Sequence, residues 1–488
     1  MGYLADIATN ANDIEKLKKA LEASNAATDK GWIMCAGVLV FFMNAGFALL
    51  ESGTVRFKNF QNIMLKNVFD ALISGIIFFA WGFAFAYGDV ATADGGNGFI
   101  GTKYFFCIGI GKDGASQTFA DWWFQFAFAA TAMTIVSGSL AERVNMYAYV
   151  FFAVFLTGFV YPVVVAWTWG GGWLTEFGYY DFAGSGIVHM VGGVAGVTGA
   201  YIIGPRLGRF TDARTGEKLI ENEEVDKSDL RNDTNGETYE TLTNKYLNGE
   251  IEIEHLHAYI RAYGTTLQDR GFTASSPNNV VLGTVILWVG WMFFNGGSSL
   301  GLTDPDDGWT KASLAMVNTI IAPSAAGFTT FFTRKYITGE NHEYRLDFAA
   351  IGNGILAGAV SITAGCADVE PWCAFIIGII GSFVYSSGVV LLRKLEIDDP
   401  VEATQVHGCC GLWGCLAIGL FHTEKGLFYG GGGKLIGANA LGCLVIALWT
   451  SSISAIYFKT VKHFGMLRLS KSDELLGGDI HYFAPIKF

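Results

Sequence analysis

The sequence predicts an all-α, polytopic membrane protein, and three observations carry that prediction. Of 488 residues, 51% are hydrophobic and only 16% charged, with 63 glycines against 8 prolines, the balance of a chain that lies mostly in lipid. About eleven apolar segments of membrane-spanning length follow one another. Lys and Arg alternate in density from one intervening loop to the next, as they do when loops alternate sides. This pattern excludes a water-soluble enzyme. The net charge of −12, to which one later acidic loop contributes, argues against a nucleic-acid partner.

Residues 1–30 are polar and acidic, with no basic region leading into a short apolar core, so they read as an extracellular tail and not as a cleaved signal peptide. Helix 1 starts near Gly31, helices 2 to 4 near Lys66, Trp122 and Met146, and helix 5 near Gly184, giving a first half over 31–204. A long acidic insertion spans 205–277; it holds the sequon at Asn232 and, from Leu247 to Tyr263, the pattern of a short amphipathic helix. Its composition is that of a solvated tether or regulatory loop whose partners are unknown. Helices 6 to 10 start near Asn279, Leu314, Phe348, Pro371 and Glu402, and helix 11 near Ile436, so the second half and last helix fill 278–461, leaving a tail over 462–488.

The cation-rich loops hold Arg56, Lys58 and Lys66; Arg143; Arg206 and Arg209; Arg334, Lys335 and Arg345; Arg393 and Lys394; and Lys459 onward. They follow the odd-numbered helices, which predicts the N-terminus outside and the insertion and C-terminus in the cytoplasm.

Two segments break the apolar pattern in the same way. Asp181 lies eight residues before His189, and Asp399 eight before His407. Eight helical residues rise about 12 Å, so an aspartate near a membrane surface sets its histidine near the middle of a layer about 30 Å thick. Helix 5 descends where helix 10 ascends, and "FFMNAGFALL" in helix 1 is echoed by "MFFNGGSSLG" in helix 6. Helices 1–5 and 6–10 therefore read as an inverted repeat, an arrangement that puts a transport site at the repeat interface. Asp399 followed by Pro400 has the form of an N-cap with an N1 proline, and Asp181 can cap likewise. Two histidines at equivalent repeat positions converge on one axis, where neutral imidazoles can share a proton.

Phe124 and Phe128 share a face of helix 3 at i, i+4, Trp169 ends helix 4 on the same side, and Trp291, Phe294 and Ser298 form one stripe of helix 6. Single aromatics at such spacing are usually packing. Together above a histidine pair they describe ring faces that attract a small cation, with a hydroxyl to accept its hydrogen bond. Cys409, Cys410 and Cys415 near His407 lack paired metal-ligand spacing and acidic neighbours, so no metal or other cofactor is expected.

With "DFAGSGIVH", "WTWGGGWL", "GSLAERV", "GWMFFNGGSS" and "DDPVEATQVHG" in this order, the chain resembles the Amt/Mep/Rh ammonium transporters, in particular the Amt branch, from about 31 to 485 with the insertion excepted. The resemblance implies eleven helices, a pore in each subunit of a homotrimer, and ammonium or ammonia as substrate in the plasma membrane. It implies an outer recruitment site at Phe124, Phe128, Trp169 and Ser298 with Asp181 nearby, a phenyl gate of Phe128 and Phe294, and pore residues His189, His407 and Trp291. In the tail, Gly477 and Asp479 match the family's Gly-x-Asp, but His481 stands where some eukaryotic members have a phosphorylatable Thr. An ammonium sensor signalling through the insertion or tail is the alternative on the same fold; a metal-using membrane enzyme lacks acidic ligands and a base.

Overall fold

In lipid no water is present to satisfy backbone amides, so each apolar segment closes its own hydrogen bonds as a helix. The computed structural model describes residues 2–112, 117–210, 245, 272, 274–305, 307–338 and 347–483. In chain order the long helices are α1 (Gly2–Thr54), α2 (Phe57–Tyr87), α3 (Phe119–Ser139), α4 (Met146–Trp167), α5 (Ser185–Ile203), α6 (Pro277–Gly297), α7 (Gly308–Thr338), α8 (Phe348–Thr363), α9 (Pro371–Lys394), α10 (Thr404–Phe421) and α11 (Lys434–His463). Among the described residues nine of these, all but α3 and α8, are long and apolar enough to cross a membrane. Beyond helices and turns, the described residues hold one isolated bridge, Val144 to Arg468.

Local sequence sets the helix starts. Thr118 and Asp121 form a reciprocal capping box on α3, Asn145 caps α4, Ser276 caps α6 ahead of Pro277, and Asp347 caps α8. α1 runs unbroken from Gly2, so the polar N-terminal residues continue the first apolar segment as helix. α6 packs along α1, α7 lies against α8 and α9, and α5 meets α3, α10 and α11.

Three differences from the sequence reading concern charge and capping. α2 begins at Phe57, well before Lys66, and Lys66 is wholly buried inside it. Arg143 and Arg206, counted among the loop cations, are buried as well: Arg143 donates to the carbonyls of Gly204, Ala141 and Asp398, and Arg206 pairs with Glu142 and Asp398. Pro400 is not an N1 residue. It lies in a turn, and the helical hydrogen bonding of α10 begins only after Glu402, which takes a left-handed φ of 60°.

The tail folds back as two short helices, α12 (Lys471–Leu476) and α13 (Gly478–Tyr482). Asp479 accepts from the amides of Gln61 and Asn62 in α2. Gly477 has φ 103°, and a Cβ there would meet the Lys58 carbonyl at 2.5 Å, so this docking requires glycine. His481 lies 3.1 Å from Asp473. The sequon and the Leu247–Tyr263 segment lie outside the described residues.

Candidate functional site: an aromatic vestibule above a histidine pair

Asp181 and Asp399 each hold the start of a histidine-bearing helix. One Asp181 oxygen accepts from the amides of Gly184 (2.8 Å) and Ser185 (3.0 Å), the other from Gly186 (2.8 Å) and Ile187 (3.1 Å). Asp399 accepts from the amides of Ala403 (3.2 Å) and Thr404 (2.7 Å) and from the Ser139 hydroxyl (3.1 Å). A left-handed residue follows each, Gly184 at φ 109° and Glu402 at 60°, and five positions on comes the histidine. Both histidines lie in π-helical turns, Ser185–Met190 and Thr404–Cys409, a feature common at functional positions and one that hydrophobic spacing does not reveal.

These turns bring the imidazoles together. The two Nδ1 atoms are 3.2 Å apart and the rings lie nearly parallel at 5.2 Å. Two Nδ1 atoms at hydrogen-bond distance need one proton between them, so one ring donates there and the other accepts. His189 is fully buried, with its Nε2 unpartnered among the described residues. Trp291 stacks on His189 at 4.8 Å and is fixed by its indole N–H donating to the Thr363 hydroxyl at 2.9 Å.

On one side of the pair the rings continue as a column. Phe294 lies 5.3 Å from His189, Phe128 stacks on Phe294 at 4.1 Å, and Phe124 packs on Phe128 at 4.7 Å. Phe128, Phe294 and Phe124 are buried. Beyond them opens a cavity of about 340 Å³ lined by Phe124, Phe128, Trp169, Ser298, Phe182, Tyr87, Gln125, Lys30 and Asp121, among others. Ser298 donates to the Phe294 carbonyl, leaving its oxygen lone pairs available. Asp181 does not line this cavity: its carboxylate faces amides, and its carbonyl accepts from the Trp169 indole at 2.9 Å. Its connection to the vestibule is therefore through Trp169.

Sequence reasoning missed part of this lining. Lys30 and Asp121, paired at 2.8 Å, close the vestibule rim, and Tyr87 Oη and Gln125 Oε1 are buried there without a protein partner among the described residues. The available signal was the placement of both charges beside apolar helix starts, "DKGW" and "FADWWF". On the opposite side of the histidines a much smaller cavity is lined by His407, Phe47, Glu51, Asn353 and apolar neighbours; nothing in the sequence reading marked Glu51.

Fold and site together define an integral membrane protein whose helices enclose an aromatic cavity over a buried histidine pair, the construction of a membrane transport protein. The family can be named more closely. The model of the Ammonium Transporter Family matches residues 31–223 and 261–486, and the chain belongs to that family. It is 36% identical over 481 residues to ammonium transporter 1 member 3 of Solanum lycopersicum, covering 92% of this chain and 90% of the relative. With ammonium transporter 1 member 1 of Arabidopsis thaliana it shares 38% over 463 residues, 88% of this chain and 79% of the relative. Among solved structures, the Sensor Amt Protein superposes with a TM-score of 0.75 at 27% identity, covering 95% of this chain and all of the other. Mep2 of Saccharomyces cerevisiae does so at 0.72 and 24%, covering 92% and 88%, a likeness of fold.

Proposed function

We propose that the protein is an ammonium transporter of eleven spans built as an inverted repeat, N-terminus outside and C-terminus cytoplasmic, acting as a homotrimer in the plasma membrane. Ammonium is attracted to the ring faces and hydroxyl of Phe124, Phe128, Trp169 and Ser298, crosses the gate of Phe128 and Phe294, and passes His189, His407 and Trp291 as ammonia. The observation that carries this reading is the unbroken column of rings from the vestibule to the histidine pair.

The chemistry follows from cost. Moving an intact cation through an apolar column costs tens of kcal/mol in the idealised limit. Deprotonating ammonium, whose pKa lies roughly two to three units above neutral, costs about 3 to 4 kcal/mol. Potassium, similar in size, has no proton to give, so the same column rejects it. The test is the double variant His189→Ala, His407→Ala in liposomes, with current and labelled ammonium uptake measured after an ammonium pulse and potassium as control. Loss of uptake or of discrimination is expected; full transport with full discrimination would overturn the role.

A second reading, an ammonium sensor, is favoured by the likeness to the Sensor Amt Protein. It requires tight binding with little flux in the same assay, and signalling that disappears when residues 212–270 are deleted.

A further inference from the structure

α1 carries Phe47 and Glu51 one turn apart, and α2 carries Lys66 and Asp70 one turn apart. All three ionisable groups are buried, Lys66 and Asp70 completely and Glu51 to 2% exposure. Ionisable side chains inside a membrane are costly and are usually retained for function. None of the three belongs to the ring column.

Their bonding singles out Glu51. The Ser137 hydroxyl lies 2.6 and 2.7 Å from the two Glu51 oxygens and 2.6 Å from the Thr134 carbonyl. A hydroxyl has one proton for these three acceptors. With Ser137 donating to Thr134, a protonated Glu51 can donate to the Ser137 oxygen; with Glu51 ionised, Ser137 turns and donates to it. Asn67 donates to the same carboxyl at 2.7 Å in either case. The site thus holds Glu51 with or without a proton and without moving a heavy atom.

The surroundings supply a counter-charge and a path. Lys66 Nζ has no hydrogen-bond partner among the described residues; it faces the Tyr149 ring at 5.6 Å, and Glu51, Asp70, Arg143 and Asp479 are the charges in its field. Asp70 accepts from the Tyr149 hydroxyl at 2.7 Å. On its other side Glu51 lines the small cavity that also holds His407. That cavity measures about 10 Å³, close to what one water's centre needs. Phe47, one turn from Glu51, packs its ring on His407 at 6.0 Å.

We infer that Glu51 is the proton acceptor on the far side of the histidine pair, taking the proton that ammonium leaves there. This rests on the transport reading above. The steps balance without electron transfer: an ammonium N–H bond breaks and its proton joins the histidine pair, ammonia moves on, and His407 passes a proton through one water to the Glu51 carboxylate. Glu51 releases it to the side opposite the vestibule, where it recombines with ammonia. One positive charge then crosses per nitrogen, with Lys66 the counter-charge in the field of Glu51.

The experiment measures charge and nitrogen separately on the full-length protein in liposomes, by current and by labelled ammonium uptake. Glu51→Gln is expected to keep uptake within about twofold while current falls about tenfold or more, and Glu51→Asp to retain current. Lys66→Met is the second variant should Glu51→Gln fail to fold, and it too should lose current while keeping uptake. Current and uptake that fall in parallel, or that both stay unchanged, would overturn the inference. Wild-type uptake without current would overturn it and leave the pore reading standing. Neither signal in the wild type would overturn both.

Discussion

Asp181 is a small residue with a large structural task. Its two oxygens take four amide donors at the start of α5, and its carbonyl holds Trp169 at the vestibule. In Asp181→Asn one oxygen becomes an NH2 group facing two N–H donors, so two hydrogen bonds are lost and two buried amides are stranded, a cost of about 2–4 kcal/mol. We expect a lower unfolding temperature in detergent and reduced uptake by whatever fraction folds. A variant as stable and as active as wild type would show that the cap does not position the site. The sequence made this residue visible through its spacing from His189. It could not show that Asp399 caps by the same reach across a turn, because Pro400 suggested a simpler geometry.

At the scale of elements, α5 and α10 meet where each carries its histidine, and glycine allows the approach. A Cβ on Gly193 would fall 2.5 Å from the Cα of Gly408, backbone against backbone, with no flexible side chain to yield. Gly193→Ala must therefore push the helices apart, at about 1–3 kcal/mol for overpacking, and lengthen the 3.2 Å contact between His189 and His407. A lower unfolding temperature together with loss of ammonium-specific current is the expected result; unchanged values for both would mean that the crossing tolerates a methyl group. The nine apolar helices of spanning length among the described residues were legible because hydrophobic length is a local property. The π-turns were not, since the extra residue in each turn is settled by what the helix packs against.

At the scale of the molecule, loops distant in sequence close into one ion-pair cluster. Glu142 pairs with Arg56 and Arg206, Asp398 with Arg206, and Phe272, at the end of the insertion, lies under Arg56 and Arg206 at 4.6 Å from each. Burial alone would raise the Glu142 carboxyl, but Arg206 and Arg56 outweigh it and bring it down from 4.5 to about 2; the same arginine, with Arg143, holds Asp398 well below the usual carboxylate range against its burial. A carboxyl lowered by folding stabilises the fold above its unfolded value and loses that contribution as pH falls toward its folded value. The wild-type unfolding temperature should therefore drop as pH is lowered from about 4.5 toward 2. Glu142→Gln, less stable at neutral pH because Arg56 loses its carboxylate partner and Arg206 one of its two, should fall less steeply over that window. Parallel profiles would remove Glu142 from the acid response.

The sequence by itself determined that this chain lives in a membrane, where most of its helices lie, and that two Asp–His elements and an aromatic stripe stand apart from packing. These follow from composition and spacing, which act within a turn or two of the chain. Only the tertiary structure decided that Lys66, Arg143 and Arg206 are buried and not loop charges, that Lys30 and Asp121 rim the vestibule, and that Glu51 shares a cavity with His407. A charged residue reads alike in sequence whether water or a partner compensates it, and the partners here, such as Ser137 for Glu51 and Asp398 for Arg206, come from segments far along the chain.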